Sequence, residues 1–254
     1  MKLTFLGTGT STGIPVLGCH CDVCRSTDPH DTRLRTSALV TTDSGGKILI
    51  DAGPDLRAQL LRHHNAPFDG VIITHSHYDH VGGIDDLRTL TYPNGSDIYC
   101  RHDVNDDLHR VLPYCFNDKY YPNIPKLRLH TITELTPFEL AGATVIPLPV
   151  MHGALHILGY RIDNLAYITD ATEVPFESIE AIHGIDTLVI NALRITPNPT
   201  HMNLEQSLAT VERIRPRRAY LIHMSHQMGF EAEASKLLPP GVSFAHDGLT
   251  IDID

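Results

Sequence analysis

The sequence predicts an α/β protein in which one sheet packs on another with helices outside. Three observations carry this: short β-branched or apolar runs recur, some are joined by tight-turn dipeptides, and stretches of helical periodicity fall between others. Runs at 3–6, 37–42, 47–50, 71–74, 98–100, 127–131 and 144–148 are bounded by Gly, Pro, Asn or Asp and read as strands, some buried on both faces. Further strands are expected at 158–162, 165–169, 187–190, 218–222 and 249–253. Gly45-Gly46 and Asp163-Asn164 supply the backbone freedom of hairpin turns. Helical periodicity covers 54–64, 104–112, 175–182 and 203–214, the last opened by Asn203 as an N-cap. No linker, low-complexity tract or internal repeat divides the chain, so residues 1–254 are expected to form a single domain. The stretch 113–125 departs from the pattern. Its Tyr114, Phe116, Tyr120, Tyr121 and three prolines fit an aromatic-rich lid and equally a structural loop tucked onto the core.

Among the 254 residues, 42% are apolar and 20% charged, an ordinary soluble, core-forming balance. Thirty acidic residues against twenty basic ones give a formal charge of -10, which repels polyanions and disfavours nucleic acid as a partner. After Lys2 the apolar run is only four residues, Leu3 to Leu6. That is far short of a signal-peptide core or a membrane span, so a cytoplasmic protein without a membrane partner is expected. The five cysteines form an odd set with Cys19, Cys21 and Cys24 crowded into six positions. This spacing suits metal in a reducing compartment better than disulfides.

After the run ending at Thr74 comes His75-Ser76-His77-Tyr78-Asp79-His80, four potential ligands in six residues, followed by Gly82-Gly83. In an extended segment, alternation aims His75, His77 and Asp79 the same way, whereas His80 points elsewhere. That division suits two neighbouring cations sharing one loop. Imidazole and carboxylate without thiolate fit Zn or Mn, with Fe also compatible.

This motif resembles that of the metallo-β-lactamase superfamily. The resemblance implies a four-layer αβ/βα sandwich with a dinuclear site at one edge. It assigns His75, His77 and His152 to a first metal, Asp79, His80 and His223 to a second, and Asp170 as a bridge between them. By the same resemblance Asp51 orients a liganding imidazole from behind, although a capping carboxylate before Pro54 is the competing reading. His77 stands where redox di-iron relatives carry Glu, which favours hydrolysis. No cysteine follows Cys115, which disfavours an antibiotic-hydrolysing enzyme.

The three clustered thiols are one ligand short of a closed zinc site. Gly18-Cys19-x-Cys21-x-x-Cys24, together with Leu221-Ile222-His223-x-Ser225-His226-Gln227, resembles the phosphoribosyl 1,2-cyclic phosphate phosphodiesterase family of the carbon-phosphorus lyase pathway. That resemblance implies a structural Zn on Cys19, Cys21, Cys24 and His226, clamping the N-terminal loop to the loop that holds the active metals; His20 is the alternative fourth ligand. It also implies that His201, with Asp79, belongs to the catalytic set, His201 without ligating metal. The expected activity is a metal-dependent phosphodiesterase acting on small, including cyclic, diesters through a hydroxide held between the two cations. A lactone or thioester hydrolase could use the same ligands, and a non-catalytic metal-binding protein would need closed coordination spheres. Both a monomer and a homodimer fit this reading.

Overall fold

The computed structural model describes residues 1–63, 67–91, 94–116 and 126–254. Fourteen strands are found among them: β1 (Lys2–Gly7), β2 (Ser37–Thr41), β3 (Lys47–Ile50), β4 (Gly70–Ile72), β5 (Ser96–Cys100), β6 (Leu127–Thr131), β7 (Phe138–Leu140), β8 (Ala143–His152), β9 (Leu155–Ile162), β10 (Leu165–Ile168), β11 (Thr187–Asn191), β12 (Arg218–Ile222), β13 (Val242–Phe244) and β14 (Thr250–Asp252). The α-helices are α1 (Leu56–Arg62), α2 (Tyr78–Val81), α3 (Arg88–Thr91), α4 (His102–Val111), α5 (Phe176–Ala181), α6 (Leu204–Ile214) and α7 (Glu231–Ala234). None of the described helices is long and apolar enough to cross a membrane.

The strands form two seven-stranded sheets, ordered β14-β1-β2-β3-β4-β5-β6 and β13-β12-β11-β10-β9-β8-β7. Each sheet is antiparallel at one end and parallel at the other: β3 to β6 run parallel, and so do β10 to β13. Parallel neighbours need long crossovers, and the helices supply them. Alternation along β3 shows how four layers arise. Ile48 and Ile50 face the second sheet in one apolar cluster with Val145, Leu158 and Tyr167, whereas Leu49 faces outward in a cluster with Leu56, Leu60, Val104 and Leu108 of α1 and α4. A third cluster packs Ile168, Ile190 and Leu221 of the second sheet against Ile179 of α5 and Ile214 of α6. The architecture is therefore the αβ/βα sandwich, and both sheets are buried on two faces.

Most expected strands appear within a residue or two. The run at 144–148 is in fact the middle of the ten-residue β8, which continues through Pro147 and Pro149. Proline removes a ladder donor, but β7 pairs β8 only as far as Val145. Beyond that point β8 is an edge strand, where the missing N–H costs little. The three-residue strands β7 and β13 are too short to leave a period in the sequence. Asp163 (φ 47°) and Asn164 form the two-residue turn between β9 and β10. Asn203 caps α6 in a capping box: its side chain accepts from the Gln206 amide, and the Gln206 side chain accepts from the Asn203 amide, each at 3.0 Å. Of the expected lid, residues Pro113–Phe116 form a 3₁₀ turn with Cys115 buried, and residues 117–125, with Tyr120 and Tyr121, lie outside the described residues.

Candidate metal centre

The sequence-predicted residues sit where strands end at one rim of the sandwich. Asp51 follows β3, His75 to His80 follow β4, His152 closes β8, Asp170 follows β10 and His223 follows β12. Asp51, Asp170 and His223 share a left-handed backbone, with φ of 59°, 58° and 57°. This conformation is uncommon for residues with a Cβ, and its threefold recurrence marks turns held by their surroundings. The loop after β3 and the loop after β4 are pressed together: the Ala52 amide donates to the His80 carbonyl (2.7 Å) and the Gly83 amide to the Ala52 carbonyl (2.8 Å). A Cβ at Gly53 would overlap the Asp79 carbonyl oxygen, so this close approach requires glycine.

The rim brings two donor sets together. One is His75, His77 and His152, and the other is Asp79, His80, Asp170 and His223. His75 Nε2 lies 3.0 Å from His77 Nδ1. His80 Nε2 lies 3.3 Å from both Asp79 and Asp170, and His223 Nε2 lies 3.2 Å from Asp170. Ligands on a tetrahedral zinc, 2.0–2.1 Å from the ion, sit about 3.3 Å apart, so this spacing fits a cation better than direct pairing.

Hydrogen bonds behind the rings fix which nitrogen faces inward. His80 Nδ1 meets the fully buried Asp51 carboxylate at 2.7 Å, and that carboxylate also accepts from the Thr74 amide (2.8 Å) and hydroxyl (2.9 Å). Because the Thr74 hydroxyl spends its proton on Asp51, its oxygen accepts from His75 Nδ1 at 3.0 Å. His152 Nδ1 donates to the Thr200 carbonyl (2.7 Å). Thr36 donates its hydroxyl proton to the Gly9 carbonyl and accepts from His223 Nδ1 at 3.2 Å. Each of these four imidazoles thus turns its Nε2 toward the centre, where the Thr10 hydroxyl also lies 3.2 Å from that of His223. His80 Nε2 is buried with no hydrogen-bond partner, an acceptor that asks for a cation. Asp51 serves both donor sets, directly through His80 and through Thr74 to His75. It does not cap α1, whose N-cap is Asp55.

The electrostatics agree. Burial disfavours a charged His80, yet Asp170 and Asp51 outweigh it and lift its pKa well above the ordinary imidazole value. Burial likewise works against the Asp170 carboxylate, but His223 and His80 hold it well below the usual range. Burial pushes His223 down to about 4 and, with the charge of His80, drives His75 well below its normal value. His75 and His223 are held neutral beside an anionic Asp170, and the carboxylates around His80 draw positive charge to the very place a divalent cation would supply it.

His201 sits over Asp170, its Nε2 at 3.2 Å from the carboxylate, with its ring stacked on His223 at 5.0 Å. The Thr200 hydroxyl donates to Asn198 and accepts from His201 Nδ1 at 2.9 Å, leaving Nε2 toward the centre. His152, Asp170 and His201 also come within mutual ligand reach. Sequence reasoning missed Thr10, Thr36, Thr74 and the Thr200 carbonyl, whose roles depend on contacts made across the fold.

Apart from this rim, the Sγ atoms of Cys19, Cys21 and Cys24 lie 3.4, 3.3 and 3.3 Å from His226 Nδ1. His20 is exposed and outside this group. The Cys24 amide lowers the Cys21 thiol to about 6, whereas burial pushes Cys24 up to about 11. A shared zinc would hold both as thiolates. Cys21→Ser is expected to lower zinc content by about one ion per chain and to lower Tm, read by metal analysis and thermal unfolding. Unchanged zinc would exclude the clamp.

Residues 47–224 match the family model of the beta-lactamase superfamily domain. The chain belongs to the metallo-β-lactamase superfamily. Within that superfamily it is close to the PhnP family. It is 40% identical to a new diphosphatase from the PhnP family, whose crystal structure superposes with a TM-score of 0.91 over 98% of this chain and 96% of that one. The Zn(2+)-bound PqqB from Methylobacterium extorquens shares the fold with a TM-score of 0.79 and 23% identity, both chains covered in full. The octanoyltransferase of Porphyromonas gingivalis (strain ATCC BAA-308 / W83) is 43% identical over 255 residues, covering all of this chain and 52% of that protein. The superfamily chain thus spans about half the length of that relative.

Proposed function

We propose that this hydrolase is a phosphodiesterase acting on small, including cyclic, diesters with two divalent cations, Zn or Mn, in its centre and one structural Zn on the cysteine cluster. The observation that carries the reading is the pair of donor sets, with Asp170 of one within ligand reach of His152 of the other and His201 Nε2 3.2 Å from its carboxylate. His75, His77 and His152 would hold one ion, and Asp79, His80 and His223 the other, with Asp170 between. Bound there, the cations supply Lewis acidity toward water and toward the phosphoryl oxygens of an anionic diester. The residues do the rest. The rings are locked from behind, so the centre is preorganised. His201, anchored at Nδ1 by Thr200, when protonated offers its Nε2–H either to hold a phosphoryl oxygen or to deliver a proton to the departing alcohol oxygen. The 40% identical PhnP-family diphosphatase supports phosphorus chemistry, and three reduced thiols suit the cytoplasm.

A second reading is an acyl thioester hydrolase using the same centre, favoured by the octanoyltransferase match. A panel of bis(p-nitrophenyl) phosphate, a ribosyl cyclic phosphate, a homoserine lactone, an octanoyl thioester and short RNA, run with metal analysis of the same preparation, separates them. Turnover of the phosphodiesters is expected; turnover confined to the lactone or thioester would remove the proposal.

A further inference from the structure

His201 rides on an exposed loop, yet its ring is held 3.2 Å from Asp170. The loop runs from the end of β11 to the start of α6, and its two ends are stitched together. The Leu193 amide donates to the Met202 carbonyl (3.0 Å), and the Leu204 amide donates to the Arg194 carbonyl (2.9 Å). Between those ends the backbone has little to hold it. Pro197 and Pro199 have no amide to donate, and Ile195, Thr196 and Thr200 are exposed with them. Such a segment opens readily unless side chains close it.

Two side chains do so. Asn198 Oδ1 accepts from the Thr200 amide (2.9 Å), the Thr200 hydroxyl (3.0 Å) and the His201 amide (3.1 Å), so one oxygen organises the turn that presents His201. Arg194 fixes where that turn begins. Its guanidinium folds back over the loop and donates from Nε to the Thr196 carbonyl (3.2 Å) and from Nη2 to the Pro197 carbonyl (2.7 Å), while Nη1 donates to Gln227 Oε1 (2.7 Å). Gln227 adjoins His226 of the cysteine cluster. On the other side of His226, Ser225 donates its amide and its hydroxyl to the Leu193 carbonyl (2.9 and 3.0 Å). The His201 loop is thus fastened to the cluster's loop at its root by Ser225 and further out by Arg194. Three acceptors in three directions suit a rigid planar fork, and the point charge of a lysine would not meet them together.

We propose that Arg194 is a positioning residue for His201: tied to Gln227 beside the cysteine cluster, it grips the Thr196 and Pro197 carbonyls and so holds the Asn198 turn that aims the His201 ring at the centre. The proposal rests on the catalytic role given to His201 in the phosphodiesterase reading. The test is a double-mutant cycle on the metal-loaded full chain. Arg194→Ala, Arg194→Lys and Gln227→Ala are each made alone and with His201→Ala, and kcat and KM on an alkyl diester are read beside metal content. Arg194→Ala is expected to lower kcat by up to about 10²-fold, the cost of an ångström of misplacement, with KM and metal content unchanged. Arg194→Lys should do no better, because charge without the fork leaves the carbonyls ungripped. Gln227 is exposed, so Gln227→Ala removes the outer tie without touching the core, and it should lose less. In the His201→Ala background none of the three should cost anything more. Full losses in that background, unchanged kcat in Arg194→Ala, or a raised KM that Arg194→Lys repairs would overturn the assignment, the last by placing Arg194 on the substrate. A crystal structure of Arg194→Ala reads the same point without turnover: His201 displaced from Asp170 while His75 and His223 stay in place supports it, and an unmoved ring overturns it. If the wild type turns over only the lactone or the thioester, the phosphodiesterase reading fails on its own and the cycle is run on that substrate. If His201→Ala costs nothing, the catalytic role of His201 fails, and the crystal structure decides the positioning.

Discussion

Replacing His201 by alanine is expected to lower kcat by about 10²- to 10⁴-fold while leaving metal content intact. The ring lies next to the donors without being needed to complete either set. His75, His77 and His152 close one group, and Asp79, His80, Asp170 and His223 the other. Its Nε2 instead faces the Asp170 oxygen shared with His223, and its side chain is 15% exposed, so substrate can reach it. Removing it takes away a proton donor or an oxygen clamp and little buried packing. The measurement pairs steady-state kinetics with metal analysis on one preparation. A substrate with a good leaving group, such as p-nitrophenolate, needs no proton at departure and should lose less than an alkyl diester does. Loss of a metal ion would place His201 among the ligands with His152 and Asp170, and an equal loss on both diesters would leave only the clamp.

What the sequence shows and what it hides divide along contact range. The β3 run is readable because one face of each residue is committed locally: Ile48 and Ile50 to the inter-sheet core, Leu49 to the helices. The loop ligands are readable because four of them fall within six residues, a density that ordinary packing does not require. His152, Asp170 and His223 are lone polar residues after apolar runs, and only a resemblance to a family picks them out. Those runs prove to be strands ending at one rim. The groups that select the ring nitrogens are less visible still. Thr36 lies 187 positions from His223, and nothing in its own neighbourhood distinguishes it from a surface threonine.

Asp51→Asn is expected to weaken cation binding by about 10- to 100-fold, and activity at limiting metal should fall with it. The substitution keeps shape and suits the backbone, since asparagine tolerates a φ of 59° better than most residues. Only the hydrogen-bonding sense changes. Asp51 accepts on both oxygens, one from the Thr74 amide and one from His80 Nδ1 and the Thr74 hydroxyl. An amide has a single oxygen. If that oxygen stays with the Thr74 amide, the NH₂ group points at His80 Nδ1 and forces the ring's proton to Nε2, the atom aimed at Asp79 and Asp170. If it turns to His80, the NH₂ group opposes the buried Thr74 amide and loosens the residue that holds His75. Either arrangement spoils one donor set. Competition with a chromophoric chelator gives the affinity, and excess metal should restore most of the lost rate. Wild-type affinity in this variant would show that Asp51 only fills space. Lost rate that excess metal leaves unrepaired would mean that it shapes the reacting geometry rather than metal retention.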